Sequence, residues 1–214
     1  MRRMITGFLI TGLAVMTAPL AASAAAGPSV AERRPCTIRG TNGNDTITGT
    51  PGNDVICAGR GSDRVSALGG DDIVLGGRGN DIIRGGKGQD LLKGGGGRDR
   101  IRGDNGDDVV RGQQRTDRLR GGAGMDRIFG SAGRDFIRGG DDDDVLGGGK
   151  GDDNLAGSKG NDDLTGGSGA DLLVGWSGDD TLHGIDGVSG NDTLKGSAGT
   201  DTCEADPGDT VMGC

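Results

Sequence analysis

Aspartate recurs every ninth residue through most of this chain, and that period limits the folds open to it. It stands at Asp45, Asp54, Asp63, Asp72, Asp81, Asp90, Asp99, Asp108, Asp117, Asp126, Asp135, Asp144, Asp153, Asp162, Asp171 and Asp180 without a slip. After the insertion Gly187-Val188-Ser189 it resumes at Asp192 and Asp201. Two residues after each aspartate comes an aliphatic side chain, from Ile47 and Ile56 through Leu182 and Leu194, with Cys203 in the last copy. Two residues before each comes glycine, except at Arg115 and Asp142. A fixed short period of this kind belongs to a solenoid, in which each unit buries its apolar side only against its neighbours.

The residue types assign a task to each position. A three-residue segment after the aspartate that alternates out, in, out is a short strand, with one aliphatic side chain per repeat in the core. The residues before it must turn the chain, and glycine there permits positive φ and the convergence of carbonyl oxygens. Carbonyls and carboxylates together form an all-oxygen donor set, which suits Ca²⁺ better than the tightly octahedral, water-retaining Mg²⁺. A metal-free solenoid with glycine turns would have no need of the carboxylates. The metal-ligating candidates are Asp45, Asp54, Asp63, Asp72, Asp81, Asp90, Asp99, Asp108, Asp126, Asp135, Asp144, Asp153, Asp162, Asp171, Asp180, Asp192 and Asp201. Asp117 is set apart, because its copy (Gly112-Gln113-Gln114-Arg115-Thr116-Asp117) places a cation at the usual glycine, and Arg115 is expected to replace an ion there.

The pattern resembles the Gly-Gly-x-Gly-x-Asp-x-U-x nonapeptide of the RTX, or haemolysin-type, calcium-binding family. Gly76-Gly77-Arg78-Gly79-Asn80-Asp81-Ile82-Ile83-Arg84 and Gly85-Gly86-Lys87-Gly88-Gln89-Asp90-Leu91-Leu92-Lys93 are full copies, and the resemblance covers residues 40 to 204. It implies an all-β fold, a right-handed parallel β-roll with two nonapeptides per coil and about nine coils. It also implies several Ca²⁺ ions held between the turns of successive coils, with an aspartate sharing an ion with the one 18 residues on, as Asp81 with Asp99. The family often joins such repeats to a catalytic or pore-forming domain and exports them through a C-terminal signal. This chain departs from that pattern at both ends.

Its first residues read as an N-terminal secretory signal over 1–24. Arg2 and Arg3 precede an apolar run from Phe8 to Met16, and Ala22-Ser23-Ala24 follows. That run is too short to span a bilayer, so a secreted, extracellular chain without a membrane span is expected. The remaining divisions are a linker and cap over 25–39, the calcium-binding roll over 40–204 and a C-terminal cap over 205–214. Four cysteines outside the cytoplasm suggest two disulfides. In a roll of about nine coils at ~4.8 Å each, the N-terminal and C-terminal pairs lie too far apart to bridge. That leaves Cys36 with Cys57 and Cys203 with Cys214.

Only 2% of the 214 residues are aromatic, and one aliphatic side chain per nine residues is a thin core. Burial on that scale falls short of the entropy of ordering so much chain, and stacked carboxylates repel one another, so folding is expected to be coupled to calcium binding. The single histidine, His183, and the absence of a nucleophile motif argue against an enzyme.

The net charge of -8 conceals a local bias. Alternate repeats share a face, and one face collects Arg64, Arg84, Arg100, Arg102, Arg118, Arg120 and Arg138, against Lys93, Arg111 and Arg127 on the other. The strip is either a solvated surface that discourages aggregation or a binding surface for an anionic polysaccharide or cell-wall polymer in an adhesion or matrix role. No nucleic-acid partner is expected.

Overall fold

The computed structural model describes residues 35–188 and 190–214. The expected secretory signal and residues 25–34 of the linker lie outside that range. Twenty strands follow one another, from β1 (Ile38–Arg39), β2 (Thr46–Thr48) and β3 (Val55–Arg60) to β18 (Thr193–Ala198), β19 (Thr202–Glu204) and β20 (Thr210–Met212). Odd-numbered strands form one ten-stranded sheet and even-numbered strands the other. Every pairing is parallel, and there is no helix among the described residues. The fold is an all-β solenoid, a β-roll with two nonapeptides per coil.

The register follows from the repeat. Arg118 pairs with Arg100 on one side and Phe136 on the other, a step of 18 residues per coil. At the three-residue insertion the step widens to 21, as in Leu173 with Leu194, and the two sheets continue beyond it. Inward aliphatics form one file per sheet. Ile56, Val74, Leu92, Val110, Ile128, Leu164 and Leu182 are wholly buried on the odd sheet, and Val65, Ile83, Ile101, Leu119, Ile137, Leu155, Leu173 and Leu194 meet them from the even sheet.

The coil count is ten rather than about nine, and both ends supply the difference. The degenerate segment Cys36-Thr37-Ile38-Arg39 forms β1 and pairs with β3. At the other end Asp209-Thr210-Val211-Met212 repeats the Asp-x-aliphatic pattern eight residues after Asp201 and forms β20 on β18. Disulfides join Cys36 to Cys57 and Cys203 to Cys214, each with Cα atoms 5.9 Å apart. Each ties down a terminal strand, where a solenoid would otherwise fray.

Two backbone positions per repeat carry positive φ: the second glycine of the pattern, such as Gly77 at 108°, and the fourth, such as Gly79 at 122°. A Cβ on Gly79 would strike the carbonyl oxygen of Gly61 in the preceding coil. Nine non-glycine residues nonetheless occupy these positions, among them Arg115 (73°), Asp142 (76°) and Trp176 (82°). Left-handed backbone costs an ordinary side chain roughly 1–2 kcal/mol. Arg115→Gly should therefore raise the melting temperature in saturating calcium, by a stability gain of about 1 kcal/mol. Gly79→Val should lower it, and an unchanged Tm in both variants would contradict the steric argument.

Candidate metal-binding ladders

The repeat aspartates line the two rows of turns that join the sheets, one ladder along each edge of the roll. From Asp63 to Asp192 they are buried, Asp117, Asp135 and Asp153 completely. What holds each carboxylate is a backbone N–H of the preceding coil. The Asp63 N–H donates to Asp81 Oδ1 (2.9 Å), Asp81 N–H to Asp99 Oδ1 (2.8 Å), Asp99 N–H to Asp117 Oδ1 (2.7 Å) and Asp117 N–H to Asp135 Oδ1 (2.7 Å). Each ladder is thus a continuous relay in which every aspartate donates to one neighbour and accepts from the other. Asp81 and Asp99, the pair expected to share an ion, are joined by a direct hydrogen bond.

The second carboxylate oxygen is another matter. Oδ2 is buried and without any hydrogen-bond partner in Asp63, Asp72, Asp81, Asp90, Asp99, Asp108, Asp117, Asp126, Asp135, Asp144, Asp153, Asp162, Asp171, Asp180, Asp192 and Asp201. An orphaned buried acceptor costs about 1–3 kcal/mol, more when charged, so a whole ladder of them calls for a partner. Main-chain oxygens lie close by: a Cβ placed on Gly76 would meet both Asp81 Oδ2 and the Gly94 carbonyl oxygen at 2.6 Å. Carbonyls from the second and fourth positions face the next coil, as Gly77 O faces Gly95 and Gly61 O faces Gly79. Among the described residues no three His, Cys, Asp or Glu side chains converge on a metal site. The oxygens that crowd these turns are carboxylate and main-chain oxygens, hard donors of a kind that would fit Ca²⁺.

Electrostatics agree. Burial pushes the carboxyls of Asp108, Asp117 and Asp144 up to about 8, those of Asp90 and Asp153 to about 7, and Asp99 and Asp126 to about 6. The donated N–H of the preceding ladder aspartate opposes the rise, and neighbouring carboxylates generally add to it.

Three residues behave differently from expectation. Arg115 is exposed, while Asp117 is buried with Oδ2 unpaired, so the arginine makes no hydrogen bond to that oxygen. Asp45 and Asp54 already have their second oxygens occupied: Thr41 and Thr50 donate backbone N–H groups at 2.6 Å and hydroxyls at 3.0 and 2.9 Å. These threonines cap the first aspartate of each ladder. Sequence reasoning also passed over the residue before each aspartate. Asn53 Oδ1 accepts from Asp71 N–H (2.9 Å), Asp71 Oδ1 from Gln89 N–H (3.0 Å) and Asn80 Oδ1 from Arg98 N–H (2.8 Å), an outer ladder beside the buried one. Its signal was the frequency of Asn and Asp at that position. Asp209, within the expected cap, accepts from Asp192 N–H (3.2 Å) and closes one ladder.

The model of the RTX calcium-binding nonapeptide repeat (4 copies) matches at residues 37–65, 58–92, 66–101, 84–119, 111–146, 120–155, 147–182 and 185–212. No curated protein matches the chain.

A carboxyl whose pKa is raised in the fold takes up protons on folding, so without metal its contribution is complete below about pH 4 and is lost as pH rises toward 8. The unfolded chain's carboxyls titrate near about 4, so between pH 6 and 8 they are ionised both before folding and when calcium-bound. The calcium concentration at half-folding should therefore change little over that range, with little proton release by calorimetry in buffers of different ionisation enthalpy. A midpoint that falls steeply from pH 6 to 8 would show that a protonated folded state precedes calcium binding and would contradict the coupling. Asp117→Asn should weaken calcium-induced folding as much as Asp99→Asn does. A silent Asp117→Asn would restore a cationic role for Arg115.

Proposed function

The chain belongs to the RTX calcium-binding nonapeptide repeat family, and on that premise we propose that it is a secreted calcium-binding protein whose folding and metal binding are one reaction. The observation that carries this reading is the set of buried, unpartnered Oδ2 atoms repeated up both edges of the roll. Asp63 through Asp201, together with the carbonyl oxygens of the glycine turns, are the residues that would hold the ions. Bound calcium supplies positive charge to carboxylates that burial has deprived of water. The protein's own contribution is to align those carboxylates, one N–H···Oδ1 bond per coil, so that neighbouring coils are fastened through the same side chains.

Secretion is supported by the leader-like sequence ahead of the roll and by the two disulfides at its ends, bonds that persist in oxidising compartments. The role proposed is binding rather than catalysis. His183 lies between Asp163 (3.4 Å) and Glu204 (2.9 Å) on the odd sheet, and no cysteine among the described residues is free.

Far-ultraviolet circular dichroism tests the reading. In chelator the chain should be largely without β structure, and titration with calcium should restore it cooperatively, with magnesium much less effective. Asp99→Ala and Asp108→Ala, one in each ladder, should shift the calcium midpoint upward. A spectrum that does not respond to calcium would sink the proposal.

A further inference from the structure

The even sheet presents two unusual features on one surface. Arg84, Arg102, Arg120 and Arg138 stand in register on four consecutive strands, and Arg100 and Arg118 form a shorter column beside them. All are exposed. Like charges directly opposite one another in a sheet are destabilising, and a surface serving only solubility would interleave acids. The relief here is slight: Arg102 approaches Asp104 at 3.6 Å, and Arg138 donates to the Ser158 hydroxyl at 3.0 Å. Two strands beyond Arg138, and two residues further along the strand than the arginine column, is the chain's single tryptophan: Arg138 is in register with Ala156 and Val174, and Trp176 with Ser158 and Gly140. Trp176 is 56% exposed and holds a positive φ of 82° at a position that glycine usually fills. A strained backbone that displays a large aromatic ring to water is an arrangement that stability alone does not favour.

We propose that the even sheet binds a linear carboxylated polysaccharide, its carboxylates on the Arg84–Arg138 column and a sugar ring stacked on Trp176. The inference rests on the calcium-folded roll, since only the fold brings these residues together on one sheet. Strand spacing sets one guanidinium every ~4.8 Å along the axis. A uronate chain offers one carboxylate per sugar, a comparable interval, and the planar guanidinium matches a carboxylate two bonds at a time. Duplex DNA is a poorer fit, with a charge every ~1.7 Å of axis on a curved surface. Single-stranded nucleic acid is bound in grooves by a series of aromatic platforms. This face offers a single aromatic platform without arginine over it, Trp176, because Arg118 (5.7 Å) and Arg134 (5.9 Å) lie over the Phe136 ring.

The single tryptophan supplies the measurement. In calcium, a short linear oligouronate should change Trp176 fluorescence and give a calorimetric binding isotherm that weakens with salt. The same oligomer with its carboxyls reduced to neutral hydroxymethyl groups should do neither. Combined replacement Arg84→Ser, Arg102→Ser, Arg120→Ser and Arg138→Ser should weaken binding by about tenfold or more. Trp176→Gly should weaken calorimetric binding while raising the melting temperature, a split that a purely structural tryptophan would not produce. Equal binding of the neutral oligomer, or equal or tighter binding of a single-stranded oligonucleotide, overturns the proposal. So does a wild-type roll, folded by circular dichroism, that ignores the oligouronate. Absence of calcium-induced β structure in the same samples would instead count against the folding reading.

Discussion

Each ladder aspartate faces two ways. Oδ1 accepts the N–H of the aspartate one coil earlier, which fixes the turn and sets the distance between coils. Oδ2 is thereby held in the interior with nothing to accept. The geometry that organises the turns is also what makes them untenable without positive charge, because a buried carboxylate must be neutralised by a proton or a cation. Everything else in the roll follows from that constraint. The core can be one residue deep per sheet because the edges, and not the centre, carry the adhesive interaction.

The turn glycines serve the same constraint. At the second and fourth positions they take up positive φ and keep side chains out of the space into which the preceding coil's carbonyls project. The first position is crowded by the carboxylate itself, as Asp81 Oδ2 crowds Gly76. Where glycine is replaced at the second position, by Leu68, Ser131 or Trp176 for example, the side chain projects away from the axis and the cost is local backbone strain rather than loss of the ladder. Substitution is therefore tolerated where it leaves the oxygens alone.

Most of the fold was legible because the aspartate and the aliphatic residue two places on are each chemically irreplaceable in their copies. The ends were harder to read. Cys36 stands where an aspartate would, and the last copy is announced by Asp209 after an interval of eight, so a search for period nine misses a coil. The division of labour between Oδ1 and Oδ2 was not legible at all, since it depends on the height of one coil above another. For the same reason the sequence made Arg115 look like an internal cation. A charged residue two places from Asp117 in sequence is directed to solvent by its left-handed backbone, while the carboxylate points inward.

Charge is separated by depth in this molecule. Carboxylates are drawn into the edges, where ions would compensate them, and guanidinium groups remain outside on one sheet, in register because the interior is in register. An arginine column of this kind has no means of holding itself together, as its members repel. It can persist only on a scaffold whose cohesion comes from elsewhere, and the aspartate ladders provide that cohesion with charges of the opposite sign. Calcium would then act on the outer face without touching it: by settling the buried charge, it fixes the spacing of the exposed one.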